Sequence, residues 1–88
     1  VHPEVWPAAD RARAAGIRLA ICSGRPAFGL ARDYAERIAP DGGWHIFQNG
    51  ASVVHFPSGR THSATLPAAT IASLIARARA TGRILELY

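Results

Sequence analysis

Lysine and methionine are missing from this 88-residue sequence, and cysteine occurs once, at Cys22. A single cysteine excludes an internal disulfide and fits a reducing, cytoplasmic setting. Without methionine, Val1 is not an unprocessed initiator, so a segment of a longer protein is expected. Apolar runs such as Leu19 to Cys22 are far too short to span a bilayer, and no charged-then-apolar leader opens the chain. Neither a membrane partner nor a secretion signal is therefore expected. Acidic residues are scarce, six against ten arginines, for a formal net charge of +4. The arginines are scattered along the chain instead of forming a basic stripe, which leaves a nucleic-acid-binding domain as a lesser alternative.

What remains is 49% hydrophobic and 18% charged, the balance of a chain that folds. A domain of this size buries only about 60–65% of its unfolded surface, so the core should be modest. Residues 3–15 have helical propensity and an apolar stripe at Val5, Ala8, Ala9, Ala12 and Ala15, and Gly16 follows as a C-terminal cap. "IRLAIC", 17–22, reads as a strand covered on both faces, as in a parallel sheet flanked by helices. A second helix is expected over 27–39, with Phe28, Ala31, Tyr34, Ala35 and Ile38 inward. "WHIFQ" is a further strand, and Asn49-Gly50 a tight-turn signal. The stretches 51–56 and 61–66 flank Pro57-Ser58-Gly59-Arg60 as a hairpin. A third helix over 67–82 and a final strand over 83–88 complete an α/β pattern.

The first strand stops at Ser23-Gly24-Arg25-Pro26. In an open parallel sheet, ligands bind beyond the carboxyl ends of strands, and Ser23 stands at such an end. Its hydroxyl can donate to a phosphate oxygen, and Gly24 allows close backbone approach. Arg25 adds a planar cation suited to phosphoryl oxygens, and the following helix aims its unpaired N–H groups at the same place. The same residues also make an ordinary turn and helix cap. Gly-rich P-loop spacing and a dinucleotide fingerprint are both absent.

The run "AADRARAAGIRLAICSGRP", followed by "FQNGASVV" from Phe47, resembles the haloacid dehalogenase superfamily, and within it the Cof-type sugar phosphatases. The resemblance covers essentially the whole chain. It implies a partial Rossmann-like core over 1–65, with a phosphate-binding loop and hairpin, and the start of an α/β cap over 66–88. Ser23 matches the family's phosphoryl-holding serine or threonine, a catalytic position, and Arg25 the arginine beside it. Asn49 and Gly50 match the "NGA" turn near the mouth of the site, although a turn set by backbone geometry accounts for them equally.

The implied activity of the full-length protein is Mg2+-dependent hydrolysis of a phosphate monoester, a sugar phosphate by family likeness, through an aspartyl-phosphate. The family's paired aspartates, its lysine and its late acidic metal ligands have no counterpart here: no Asp-x-Asp occurs, and lysine is missing altogether. The 88 residues alone are therefore expected to be inactive and, with unpaired strand edges, prone to self-association. A non-enzymatic α/β anion-binding module is the main alternative. His2, His45, His55 and His62 lack metal-ligand spacing, and strand or surface positions are expected for them. Cys22, Trp6 and Trp44 are read as packing residues, and the Ile71, Leu74 and Ile75 stripe as a sheet-covering face.

Overall fold

The alanine-rich start of the chain folds as α1 (Val5–Ala14), and Gly16, at φ +82°, ends it. There Gly16 N–H donates to Arg13 C=O and Ile17 N–H to Ala12 C=O, the paired bonds of a glycine-terminated helix. Only Ala9 of the expected stripe is buried. α2 (Leu30–Ile38) begins three residues later than the sequence pattern implied. Gly29, with φ +58° and ψ −142°, breaks the helical path and leaves Phe28 exposed. Beyond that break the pattern holds: Ala31 and Ala35 are buried, Tyr34 and Ile38 half-buried.

β1 (Gly43–Phe47), β2 (Ser52–Phe56) and β3 (Thr61–Ser63) form an antiparallel sheet in the order β1-β2-β3. Its register pairs Phe47 with Ser52, Gly43 with Phe56, and Val54 with Thr61. α3 (Ala68–Thr81) ends at Gly82 with φ +64°, again with paired capping bonds. The computed structural model describes residues 1–88 throughout, as a mixed α/β chain of three helices and three strands.

The core lies between α2 and the sheet. Ala31, Ala35, Phe47, Val54 and Phe56 form it, with Ile21 and Ala27 packed against it. The rings of Phe47 and Phe56 meet edge-to-face at 6.2 Å. α1 joins this layer through Trp6, whose ring lies 5.4 Å from that of Tyr34. Asp10 also draws together Arg13 and Arg37, the latter at 3.8 Å from its carboxylate.

Five expectations are corrected. The sheet is antiparallel, not parallel, and residues 17–22 are no regular strand: they make one parallel bridge, Cys22 to Ile46. Ile21 alone of this segment packs against the core, while Ile17, Ala20 and Cys22 are exposed, and Cys22 does not serve as buried packing. The final segment, 83–88, finds no strand to pair with, and Ile84 is almost wholly exposed. The α3 stripe covers no sheet either, since none of its residues is buried.

Candidate functional site

Two turns far apart in sequence are tied together at the end of the 17–22 segment. Ser23 N–H donates to Ile46 C=O at 2.9 Å, which fixes the first turn to β1. Asn49 N–H donates to Ser23 C=O at 3.2 Å, and Gln48 N–H to Arg25 C=O at 3.0 Å, which fixes the second turn to the first. Every one of the five sequence candidates, Ser23, Gly24, Arg25, Asn49 and Gly50, belongs to this double turn.

The second turn is not the two-residue hairpin its Asn-Gly pair implied. Residues Gln48–Gly50 make a single 3-10 turn in which Gln48 and Asn49 both have left-handed φ, +51° and +55°. Such a conformation is uncommon outside glycine, and Asn tolerates it better than most residues. It aims the two amides back at the first turn. The Asn49 side chain lies against Gly24 so closely that a Cβ there would stand 2.9 Å from its Oδ1. A side chain at position 24 would therefore push the exposed Asn49 amide aside.

Ser23 is half-buried, and its Oγ accepts the Arg25 N–H at 3.1 Å, a serine turn that leaves the hydroxyl proton free to donate. Beside it lies a cleft of about 370 Å³, lined among others by Ser23, Arg25, Leu30, Ala31 and Tyr34. Arg25 is exposed and takes part in none of the chain's ion pairs. Leu30 and Ala31 open α2, so the positive end of the helix dipole faces this cleft. The Ser23 hydroxyl and the Arg25 guanidinium are groups an anion can meet there, while Val1, Ile21, Cys22, Leu30 and Ala31 make the rest of the lining largely apolar.

Asn49 and Gly50 do not line the cleft; their part in this geometry is to hold the Ser23 turn. Two residues that do line it were read otherwise from sequence. The helical spacing predicts Tyr34 as a core-facing residue, and the apolar run predicts Cys22 as packing, yet both line the cleft. The helical step from Leu30 to Tyr34 places both on the same side, which is the signal available for Tyr34.

No carboxylate lines the cleft, and no three His, Cys, Asp or Glu side chains gather anywhere as a metal-binding group. A divalent cation fits this donor set poorly, with a guanidinium where an anionic ligand would be needed. His55 and His62 flank Trp44 at ring distances of 5.2 and 5.3 Å, with Arg60 over the indole at 5.7 Å, an aromatic cluster on the sheet surface. A larger cleft of about 670 Å³ lies at the other end of the 17–22 segment, bordered by Arg13, Arg18 and Asp41 and remote from Ser23.

His45 is wholly buried in β1, a place that strand alternation with Phe47 could have revealed. Its Nδ1 accepts the Ile21 N–H at 3.1 Å, so the ring proton sits on Nε2, which has no partner. Burial, and then the nearby His55, push its pKa below the usual histidine value. No helix of the chain is long and apolar enough to cross a membrane. Comparison of the chain with family models, with curated proteins and with solved structures finds no match.

Proposed function

We propose that this chain supplies the phosphoryl-holding part of a haloacid dehalogenase-like hydrolase. The longer protein would be a cytoplasmic phosphatase that cleaves a phosphate monoester, a sugar phosphate by family likeness. The observation that carries this reading is the joining of the Ser-Gly-Arg-Pro and Asn-Gly turns by two backbone hydrogen bonds beside a cleft that Ser23 and Arg25 line. The isolated bridge of Cys22 to Ile46 sets the Ser23 turn against β1.

In this reading Ser23 donates its hydroxyl proton to a phosphoryl oxygen, and Arg25 neutralises the charge from the solvent side. The residues present do not fit Mg2+, so the metal ligands and the attacking aspartate belong to sequence beyond these 88 residues. Positioning without a nucleophile does not hydrolyse a phosphate ester. The chain alone therefore binds anions and turns nothing over.

The lack of any carboxylate at the cleft equally favours a second reading, a non-enzymatic anion-binding module. An Asp-x-Asp-Gly stretch encoded just before Val1 decides for the hydrolase, and its absence from the gene decides against it. Phosphatase turnover by the purified chain checks the rest: metal-dependent activity above that of Ser23→Ala would overturn the assignment of roles.

A further inference from the structure

The single parallel bridge stops where it does because a side chain intervenes. Around a bridge between Cys22 and Ile46, a parallel ladder alternates its donors between the two segments. Two rungs are present: Ile46 N–H to Ile21 C=O at 2.8 Å and Ser23 N–H to Ile46 C=O at 2.9 Å. The next rung would take Ile21 N–H to the carbonyl of Trp44. Instead that N–H goes to Nδ1 of His45 at 3.1 Å. The imidazole has replaced a backbone acceptor, and residues 17–20 splay from β1 beyond that point.

We infer that His45 is a positioning residue for the segment that leads into the Ser23 turn, holding it through the Ile21 amide while the imidazole is neutral and giving up that one hold when the imidazole is protonated. An imidazolium carries N–H at both nitrogens and cannot accept from Ile21. Protonation would leave two donors facing each other in a buried site whose Nε2 already lacks a partner. The Ile21 amide then moves to the Trp44 carbonyl or to water. Ser23 senses the change through Ile46, whose N–H meets Ile21 C=O and whose C=O meets Ser23 N–H, while the bonds of the turn to Ile46, Gln48 and Asn49 stay in place. The local geometry of Ile21, two residues before Ser23, thus depends on the charge of a residue that does not line the cleft.

The surroundings of the ring contain nothing to stabilise an imidazolium. β1 and β2 present Phe47 and Phe56, with ring centroids 6.4 and 6.1 Å from the imidazole, and Gly43 stands beside Nε2. His55 of β2 acts on it as a like charge when protonated. From α2, Arg32 lies over the Phe56 ring and is paired with Glu36, while Asp41 in the turn before β1 is exposed to solvent. Neutral His45 is the state this packing selects.

Only the role of the turn as an anion cradle rests on the function proposed above; the coupling of His45 to Ile21 does not. NMR titration of the labelled 88-residue chain separates the two. The amide shifts of Ile21 and Ser23 should move with the midpoint of the His45 ring nitrogens, and in His45→Gln, whose side-chain carbonyl can still accept but does not titrate, that movement should be lost. Ile21 and Ser23 amides that stay fixed through the His45 midpoint, or that move equally in His45→Gln, would overturn the inference. The wild-type titration alone decides should the variant fail to fold. Inorganic phosphate added at neutral pH tests the cradle separately, through the Ser23 and Arg25 amides, so a failure there leaves the His45 result standing.

Discussion

The Asn49 side chain occupies the space that a side chain on residue 24 would need, its Oδ1 lying 2.9 Å from the position of a Gly24 Cβ. Two short turns separated by most of a helix and a strand are fitted to each other at that point. The backbone bonds from Asn49 and Gln48 make the fit directional.

Gly24→Ala should therefore destabilise the chain by about 0.5–1 kcal/mol, the cost of turning an exposed side chain out of its preferred rotamer. Asn49→Gly, which keeps the left-handed φ and empties the space, should recover much of that loss when combined with it. Urea unfolding of both single variants and the double variant measures the coupling, expected at about 0.5–3 kcal/mol for residues in contact. Strictly additive effects would show that the two turns do not press on one another.

Ser23→Ala and Arg25→Ala should separate stability from binding. The serine hydroxyl accepts a backbone N–H, so its loss should cost about 0.5–1.5 kcal/mol of folding free energy. Arg25 has no ion-pair partner, and its removal should leave stability within about 0.5 kcal/mol of the parent. Phosphate affinity should nevertheless fall about tenfold or more in Arg25→Ala, the worth of one charged hydrogen bond. Denaturation curves and phosphate titrations of the same samples give both numbers.

The buried histidine sets a direction for the pH dependence. Its folded-state pKa lies below the unfolded value of 6.5, so the unfolded chain binds the extra proton first as the solution is acidified. Its contribution to stability is complete above 6.5 and is lost as pH falls through the lower, folded-state pKa. Urea midpoints measured from pH 7.5 down to about 5 should decline, and in His45→Gln the part of the slope due to this group should vanish. His55→Gln removes the like charge, so the ring titration of His45 should shift upward.

Core and periphery should respond very differently to deletion. Phe47 is fully buried between α2 and β2, and Phe47→Ala should cost about 3–5 kcal/mol. With eight of 88 residues buried, a loss of that size should leave the chain largely unfolded at room temperature. Ending the chain after Leu66 removes α3, none of whose residues is buried. The amide spectrum of Phe47 and Val54 should stay unchanged in that shortened chain.

Helices and hairpin were legible in the sequence because local signals agree with the fold. Gly16 and Gly82 stop α1 and α3 where cap glycines are expected, and Ala31, Tyr34, Ala35 and Ile38 give α2 its inner face. The turn chemistry of Ser23 and Arg25 was legible in the sequence, and the structure puts both residues on a cleft. What misled was the apolar run from Ile17 to Cys22. Hydrophobicity alone cannot say whether strands exist to cover a segment, and here one imidazole ends its pairing after a single bridge. The 83–88 segment failed for the same reason, having strand-like composition and no partner. Left-handed Gln48 was hidden because its conformation is imposed by a tertiary contact, the hydrogen bond to Arg25.

The most direct measurement is an amide-resolved titration of the chain with inorganic phosphate, with ionic strength held constant by chloride. Saturable shifts confined to Ser23, Gly24, Arg25 and the first turn of α2, and lost in Arg25→Ala, are the result expected. Shifts spread evenly over the chain, or shifts at Ser23 that survive unchanged in Arg25→Ala, would contradict the view that this turn is built to hold a phosphoryl group.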